Sequence, residues 1–538
     1  MSNSSNNLTA STSVAIQNPV LKGFNPDPSI LRVAEDYYIA TSTFEWFPGV
    51  QIHHSRDLVN WRLLTRPLDR LSQLNMIGNP DSGGIWAPCL SYCDGVFYLI
   101  YTDVKYWLKE PYKVAYNYLV TATDIEGPWS DPVFLNGSGF DPSLFHDDDG
   151  RKWLLNMIWD HRQQNNRFAG ILLQEYDAEK KALVGPVKNI FRGTDLGLVE
   201  GPHVYKLNGY YYLLTAEGGT QYEHAASLAR SRNIDGPYEI HPENPLLTSM
   251  GDETLSLQKA GHASLVETQN GEWYLAHLCG RPVDGKHCTL GRETSIQKCA
   301  WKNDGWLYLE QGGNHPAQFV PAPRGIEPQP FQETAWNGLF DTDRLDINFQ
   351  SLRRPITGEW LSLTDRPGYL RLYGQEPTVS LFKQSLIARR VQAFDIEVET
   401  AFEFNPVSFQ QMAGLVAYYD TQNHFYLRVS HDEKLGRTLN IIATDAGESS
   451  EILSSDVSIP DEGAIRMKLR FNGPSLRFFQ AVGSDEWTPV GPELNGTILS
   501  DDYHNLGFTG AYVGLCAQDL TGMRCPADFS CFHYRETI

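Results

Sequence analysis

Five residues that could do chemistry recur along the N-terminal part of the chain at nearly equal spacing. Successive positions are 59, 55, 59 and 62 residues apart, in the order Asp27, Trp86, Asp141, Glu200 and His262. If equivalent positions of a repeat converge, three carboxyl groups, an indole and an imidazole share one pocket. Three acids in a small volume repel one another when ionised, so at least one should keep its proton at neutral pH. A protonated acid near an ionised one is the arrangement that general acid–base catalysis requires.

Cleavage of a glycosidic bond uses this pair of protonation states. A carboxylic acid protonates the departing oxygen, while a carboxylate on the other side attacks the anomeric carbon or deprotonates a water molecule that does. Carboxyl groups from different repeats should be roughly 6.5–9.5 Å apart, which admits a water molecule and predicts inversion at the anomeric carbon. The alternative is that these polar side chains only form hydrogen bonds around a water-filled channel.

The segments that carry these residues form a repeat of about sixty residues. Each copy contains an apolar segment, a turn and an aromatic-rich segment, as in Asp141-Pro-Ser-Leu-Phe, Asp149-Gly150 and Trp153-Leu-Leu. Four of the five turns are Asp-Gly or Asn-Gly, which favour tight hairpins because both central residues need positive φ. A second turn and an outer segment, such as Thr123 to Trp129, complete four strands per copy. Five four-stranded units arranged radially are a five-bladed β-propeller, which we predict over residues 18–320.

A second domain is predicted after the propeller. Residues 321–338 are proline-rich and do not suit a regular strand ladder. Beyond them the period is lost, and short alternating segments such as 394–404 and 464–471 recur at the spacing of a β-sandwich. We therefore predict an all-β chain with a flexible N-terminus over residues 1–17, the propeller, a linker over 321–338, and a sandwich over 339–538 that closes the active site.

Charge and composition restrict the class of partner. The chain has 44 Lys and Arg against 65 Asp and Glu, a net charge of −21, which offers no basic surface to nucleic acid or to an anionic membrane. Aromatic residues make up 12% of the chain, which favours stacking surfaces for sugars. The N-terminal segment has neither the basic nor the apolar region of a secretory signal, so we expect a cytoplasmic location. The eight cysteines contain no CxxC pair and are expected to be reduced.

Four motifs surround the three carboxyls and a downstream arginine. They are Asn25-Pro-Asp-Pro-Ser29, Gly139-Phe-Asp-Pro-Ser143, Val199-Glu-Gly-Pro-His203 and Leu290-Gly-Arg-Glu-Thr294. Together they resemble glycoside hydrolase family 43, in particular its two-domain β-xylosidases, some of which also release arabinofuranose. The resemblance covers essentially the whole chain and implies a five-bladed propeller, a C-terminal sandwich and an inverting mechanism without a covalent sugar intermediate. It also implies that Asp27 is the general base, Glu200 the general acid, and Asp141 the carboxylate that orients the sugar and keeps the pKa of the acid high.

Four further residues resemble parts of the family's sugar-binding pocket. Phe44 and Trp86 resemble the two aromatic walls of the first sugar subsite. Thr220 resembles a hydroxyl donor to the sugar, and Phe508 an aromatic residue that closes the pocket from the second domain. The alternative for the two walls is that they belong to the ordinary hydrophobic core. A pocket closed at one end favours removal of one terminal sugar over cleavage inside a chain.

Two basic side chains complete the predicted pocket. Arg292 resembles the family's arginine and is expected to pair with Asp141 and bind substrate hydroxyls, the alternative being a surface ion pair. His262 is open to three interpretations: it accepts hydrogen bonds, supports Arg292, or holds Ca²⁺ through water as in some relatives. One imidazole is not a metal site by itself, because Ca²⁺ prefers six to eight oxygen ligands. The run His146-Asp-Asp-Asp-Gly150 is better explained as a hairpin turn than as a calcium loop.

These observations predict an exo-acting β-xylosidase that trims xylobiose and other short xylo-oligosaccharides from the non-reducing end, with α-L-arabinofuranosidase side activity. No cofactor is required by this chemistry. One alternative is a primary α-L-arabinofuranosidase. Another is a non-catalytic sugar-binding propeller, which conflicts with the three carboxyls because a lectin does not need a protonated acid. We also predict a homo-oligomer, a dimer or a tetramer. The short loop between Gly280 and Leu290 is expected to border either the mouth of the pocket or a subunit contact.

Overall fold

The computed structural model describes residues 15–108, 111–332, 336–483, 485–504 and 506–537. Within these ranges the secondary structure is β, apart from one 3-10 turn, Gly496–Ile498. None of the described residues forms a helix long and apolar enough to cross a lipid bilayer. The prediction of an all-β chain with a propeller and a sandwich is confirmed.

Five antiparallel sheets, one for each sequence repeat, form the blades of the propeller, and the strands pair in chain order, except that Leu247–Thr248 in blade 4 pairs with Ala225–Ser231. Blade 1 contains Ser29–Val33, Asp36–Thr41, Gln51–Ser55 and Arg62–Thr65. Blade 2 contains Gly84–Cys93, Val96–Tyr106, Val114–Ala122 and Val133–Asn136. Blade 3 contains Ser143–His146, Lys152–Trp159, Phe168–Asp177 and Ala182–Phe191. Blade 4 contains Glu200–Leu207, Tyr210–Glu217, Ala225–Ser231, Glu239–Ile240 and Leu247–Thr248, and blade 5 contains Gln258–Glu267, Trp273–Gly280, Arg292–Trp301 and Leu307–Leu309.

The blades close into a ring. The first strand of each blade contacts the first strands of both neighbouring blades, so the five innermost strands surround one axis. Blades 5 and 1 are joined by Ser264, whose hydroxyl accepts a hydrogen bond from Ile30 N at 2.9 Å and donates one to Pro28 O at 2.8 Å. Ala15–Gln17, which fell inside the predicted N-terminal segment, form a strand that pairs with Phe319–Pro321. The first and last described segments of the propeller are therefore held together.

The second domain is a sandwich of two antiparallel sheets. One sheet is built, in spatial order, from Glu448–Glu451, Gly436–Asp445, His424–Asp432, Gln411–Tyr418, Tyr512–Asp519, Ser385–Arg390, Gln350–Leu352 and Trp46–Phe47, with Val457–Ser458 also paired to Gly436–Asp445. The other is built from Leu361–Ser362, Leu370–Tyr373, Pro526–Glu536, Asp395–Phe404, Ile465–Asn472, Ser475–Ala481 and Thr488–Asn495. Apolar side chains of both sheets form one core, as the alternating burial of Asp395–Phe404 illustrates.

A loop of the propeller supplies the last strand of a sandwich sheet. Trp46–Phe47, which follow the second strand of blade 1, pair with Gln350–Leu352. The Trp46 ring stacks on Tyr512 of the sandwich, with ring centroids 3.7 Å apart and an angle of 11°. Buried ion pairs also cross this interface: Lys259 with Asp502 and Arg353 with Asp81, each at 2.6 Å. Because separating such pairs would leave buried charges without partners, these contacts fix the two domains relative to each other.

Candidate active site

The five positions singled out by their spacing lie at one mouth of the channel between the blades. Asp27 and Asp141 immediately precede the first strands of blades 1 and 3, and Glu200 begins the first strand of blade 4. Trp86 and His262 lie in the first strands of blades 2 and 5. All five line a cavity of about 420 Å³. The prediction that a radial repeat brings these side chains together agrees with this geometry.

The local backbone turns these side chains towards the axis. Asp27 and Asp141 have φ values of 56° and 54°, in a region that residues other than glycine adopt at a cost of roughly 1–3 kcal/mol. Each is followed by Pro and Ser, so the same motif makes the same turn in blades 1 and 3. In the first strands of blades 2 and 4, the pairing with the second strand is irregular next to Trp86 and Glu200. Such bulges re-aim side chains next to active sites.

Asp27 is held at both carboxylate oxygens. Arg292 Nη1 donates to Oδ1 at 2.9 Å, and Ser42 Oγ donates to Oδ2 at 2.6 Å. The Asp27 side chain is buried, and so is Arg292. These contacts fix the orientation of the Asp27 carboxyl group in the cavity.

The predicted partner of Arg292 was wrong. From the sequence we expected this guanidinium to pair with Asp141, whereas in the structure it pairs with Asp27. Arg292 begins the third strand of blade 5, and its carbonyl accepts a hydrogen bond from Asn25 N at 2.9 Å. Because blade 5 closes the ring against blade 1, the arginine is adjacent to the carboxylate of blade 1, while Asp141 belongs to blade 3.

Burial disfavours the ionised forms of the other two carboxyls, Glu200 and Asp141. Burial and the negative charge of Asp27 raise the pKa of Glu200 to about 8, against the opposing effects of Arg292 and Lys113. Burial, Glu200 and Asp27 raise the pKa of Asp141 well above its usual range. Asp141 Oδ2 accepts a hydrogen bond from Gly201 N at 3.1 Å, which links it to the residue after Glu200. At neutral pH the cavity therefore combines a proton donor with a charge-paired carboxylate.

Three aromatic rings from both domains form one wall of the cavity. Phe508 of the sandwich stacks on Phe44, with ring centroids 5.7 Å apart and an angle of 29°, and meets Trp86 edge to face at 5.5 Å. The backbone of Phe508 is held by the propeller, since its N–H donates to Ser82 Oγ at 3.0 Å and its carbonyl accepts from Arg292 Nη2 at 3.1 Å. The second domain thus contributes a fixed surface to the cavity.

A lysine and four aromatic residues that also line the cavity, next to Trp86 and Phe508, were not predicted from the sequence. These lining residues are Trp107, Lys113, Phe140, Trp159 and Phe168. The Lys113 ammonium lies 4.5 Å from the ring centroid of Trp159 and 5.1 Å from that of Trp86, and burial lowers its pKa to about 8. All five of these residues lie outside the five repeat positions, so the spacing did not indicate them. The sequence feature that did point towards the four aromatic residues was the high aromatic content of the chain.

Models of two protein families divide the chain between its two domains. "Glycosyl hydrolases family 43" matches residues 16–307, and "Beta xylosidase C-terminal Concanavalin A-like domain" matches residues 339–535. The chain belongs to glycoside hydrolase family 43. The predicted resemblance is therefore confirmed, and the protein is a glycoside hydrolase.

The relatives match along nearly the whole glycoside hydrolase. A "Beta-xylosidase" of Bacillus subtilis is 52% identical over 97% of this chain and 99% of the relative. "Xylosidase/arabinosidase 43B" of Humicola insolens is also 52% identical, over 97% of each chain. The crystal structure of xylan beta-1,4-xylosidase from Bacillus halodurans is similar at a TM-score of 0.95 and 60% identity, covering 97% of this chain and 100% of that one.

Thr220 and His262 also line the cavity of the glycoside hydrolase. Thr220 lies in the loop after the second strand of blade 4, beside Gly218 and Gly219. His262 is buried, and its Nδ1 is 3.9 Å from Asp27 Oδ1. Burial lowers the pKa of His262, so its imidazole is neutral and can exchange hydrogen bonds with a sugar or a water molecule.

The residues around His262 do not fit a directly bound Ca²⁺ ion. Its nearest carboxylate, Asp27, already accepts hydrogen bonds from Arg292 and Ser42, whereas Ca²⁺ needs six to eight oxygen ligands. In the ranges that the structure describes, no three His, Cys, Asp or Glu side chains are grouped to hold a metal. In the run His146–Gly150, Asp147 binds Lys206 Nζ at 2.6 Å, so this turn has a structural explanation.

Proposed function

We propose that this glycoside hydrolase is an exo-acting β-xylosidase that releases D-xylose from the non-reducing end of β-1,4-xylo-oligosaccharides with inversion. The main observation behind this proposal is that two carboxyls of one cavity differ in their surroundings. Asp27 is ion-paired with Arg292, whereas burial raises the pKa of Glu200. The names of the Bacillus subtilis relative and of the Bacillus halodurans structure support β-xylosides as the substrate class.

Glu200 is the general acid in this proposal. Its pKa of about 8 keeps the carboxyl protonated at neutral pH, so it can donate a proton to the glycosidic oxygen as the bond breaks. Proton donation accelerates the reaction most when the leaving group is another sugar, because a sugar alkoxide is a poor leaving group. After the transfer, the Glu200 carboxylate lies in a cavity that also contains Arg292 and Lys113, whose charges favour the ionised form.

Asp27 is the general base. Arg292 and Ser42 orient its carboxylate, which takes a proton from a water molecule as that water attacks the anomeric carbon from the face opposite the leaving group. Asp141 is buried and its pKa is raised, which favours the protonated form, so it can donate a hydrogen bond to a sugar hydroxyl and orient the ring. Because no protein oxygen attacks the anomeric carbon, the mechanism has one displacement and inverts the configuration.

The shape of the cavity supports exo action. Phe508 from the sandwich covers part of the cavity beside Phe44 and Trp86, and apolar ring faces suit the faces of a pyranose. An internal unit of a xylan chain needs an opening on both sides, whereas a terminal unit needs one. The cavity also contains the hydrogen-bonding groups of His262 and Thr220, which we assign to the hydroxyls of the terminal sugar.

Product stereochemistry tests this proposal directly. Xylobiose hydrolysis followed by proton NMR should show the xylose from the non-reducing unit first as the α anomer, before mutarotation. First appearance of the β anomer would contradict the roles of Asp27 and Glu200, and the absence of hydrolysis would contradict the substrate class.

A second activity, α-L-arabinofuranosidase, is favoured by a specific observation. The Humicola insolens relative carries both activities in its name, and a relative from Bacteroides ovatus that is 34% identical is named a non-reducing end α-L-arabinofuranosidase. We propose it as the side activity. Comparison of kcat/KM on 4-nitrophenyl β-D-xyloside and 4-nitrophenyl α-L-arabinofuranoside should favour the xyloside; the reverse ratio would make arabinofuranose the primary substrate.

The proposed assembly is a homo-oligomer, a dimer or a tetramer. Light scattering after size-exclusion chromatography should give two or four times the mass of one chain, and the mass of a single chain would contradict this proposal.

A further inference from the structure

Ser82 connects the aromatic wall of the cavity to both domains. Its carbonyl accepts a hydrogen bond from Trp86 Nε1 at 2.9 Å, and its hydroxyl accepts one from Phe508 N at 3.0 Å. Ser82 has a φ of 54°, a conformation that needs support from the surrounding structure. The position of this one residue therefore sets the positions of two rings, one from the propeller and one from the sandwich.

Glu45 provides that support from beneath the wall. Its Oε2 accepts a hydrogen bond from Ser82 N at 3.1 Å, and its side chain is 0% exposed. Glu45 also follows Phe44, the third ring of the wall, which exchanges backbone hydrogen bonds with Ile85 at 2.9 and 3.1 Å. A single buried carboxyl is thus connected, through Ser82 or through the chain, to all three rings.

The charges that face Glu45 come from both domains. Arg353 of the sandwich is fully buried and binds Asp81 at 2.6 Å, and Arg353 N donates to the carbonyl of Glu45 at 2.8 Å. The titratable surroundings also include the phenols of Tyr419 and Tyr512, and the carboxyl of Asp420, whose pKa is raised by burial and by Asp81. Burial raises the pKa of Glu45 to about 8, with Arg353 opposing the rise and Asp81 adding to it. Glu45 is therefore neutral at pH 7.

We propose that Glu45 is a positioning residue for the terminal sugar: by fixing Ser82, it holds Trp86 and Phe508 in place in the cavity wall that the sugar ring contacts. This inference rests on the proposed function. A buried carboxyl costs folding free energy, and well-packed apolar residues often replace buried charged groups without loss of stability. A role in stability alone therefore explains Glu45 poorly, whereas the hydrogen bond to Ser82 N gives it a role at the cavity.

Steady-state kinetics on xylobiose test the inference. Glu45→Ala removes the acceptor of Ser82 N and, by releasing the two rings that Ser82 positions, should raise KM about tenfold, which corresponds to about 1.4 kcal/mol of lost binding free energy. The value of kcat should stay within about threefold, because Asp27 and Glu200 are untouched. Glu45→Gln keeps an acceptor oxygen and matches the neutral side chain, so its KM should stay within about twofold of that of the wild type.

Asp528→Asn is the matched control for lost stability. Asp528 is buried in the sandwich and binds Arg366 and Arg371 at 2.9 and 2.6 Å, away from the residues that line the cavity. This variant should lower Tm and leave KM unchanged. If Glu45→Ala also lowers Tm without changing KM, Glu45 has only a structural role and the inference is wrong.

Ser82→Ala tests the same connection if Glu45→Ala does not fold. It removes the acceptor of Phe508 N and keeps the backbone carbonyl that holds Trp86, so KM should rise severalfold with kcat nearly unchanged. An unchanged KM in Ser82→Ala would overturn the inference. The wild-type enzyme is assayed first on xylobiose: its inactivity would contradict the proposed function, whereas an active wild type with unaffected variants would contradict only the role of Glu45.

Discussion

Glu200 and Asp27 lie in one cavity but have different surroundings. Glu200 is buried near a negative charge, which raises its pKa to about 8, while Asp27 accepts hydrogen bonds from Arg292 and Ser42. Both carboxyls could be found from the sequence because each stands in a repeated motif. The partner of Arg292 could not be predicted from the sequence, because it depends on which blades become neighbours when the ring closes.

Substitution of the two carboxyls should separate their roles. Glu200→Gln should lower kcat/KM on xylobiose by about 10²–10⁴-fold, and less on 4-nitrophenyl β-D-xyloside, whose leaving group needs little protonation. Asp27→Asn should abolish hydrolysis of both substrates, because no other group activates water. Assay of each variant on both substrates checks this pattern, and equal losses for Glu200→Gln on both would contradict the acid role.

The pH dependence of activity should follow the proton on Glu200. An acid must be protonated to act, so kcat/KM should fall as the pH rises through about 8, the pKa of Glu200. Since Lys113 lowers this pKa, Lys113→Met should move the decline to higher pH. Lys188→Met removes an exposed lysine that pairs with Asp235 and should leave the profile in place. An unmoved profile in Lys113→Met would show that Lys113 does not act on the acid.

Two segments that leave their own domains build the interface beside the cavity. Trp46–Phe47 of the propeller join a sheet of the sandwich, and Phe508 of the sandwich covers the propeller's cavity. The blades themselves could be predicted, because Asn-Gly and Asp-Gly turns between alternating segments are local signals. The pairing of Trp46–Phe47 with the sandwich could not be predicted, because local periodicity does not indicate pairing with a strand about three hundred residues away.

Truncation of Phe508 tests the contribution of this interface to substrate binding. Phe508→Ala removes a ring that contacts Phe44, Trp86 and Trp107 and should raise KM for xylobiose about tenfold or more. Phe382→Ala, which removes an exposed phenylalanine of the same domain, serves as the control and should not change KM. Unchanged kinetics in Phe508→Ala would mean that the sandwich does not contact the bound sugar.

Across the whole molecule, buried ion pairs fasten the propeller to the sandwich. Lys259 and Asp502 are 1% and 5% exposed and lie 2.6 Å apart. Composition could predict two all-β domains, but it could not predict that charged residues would be buried between them. Their burial depends on the complementary surfaces that only the assembled fold presents.

Removal of one partner from this pair should be costly. Asp502→Ala leaves the Lys259 ammonium buried and unpaired, which should lower the free energy of unfolding by about 3–5 kcal/mol. Asp235→Ala breaks the exposed pair with Lys188 and should cost about 1 kcal/mol or less. Urea denaturation measures both. If Asp502→Ala lowered the free energy of unfolding as little as Asp235→Ala does, the Lys259–Asp502 pair would not hold the two domains together.

Arg292 donates one hydrogen bond to Asp27 and another to the carbonyl of Phe508. Any displacement of the C-terminal domain relative to the N-terminal domain would therefore move Arg292, and with it Asp27, the proposed general base. A chimaera that borrows its C-terminal half from another member of the family should consequently lose turnover as well as affinity, unless the borrowed half returns that carbonyl to the same place. The propeller and the sandwich would then be under selection together, because a change in either domain affects the other.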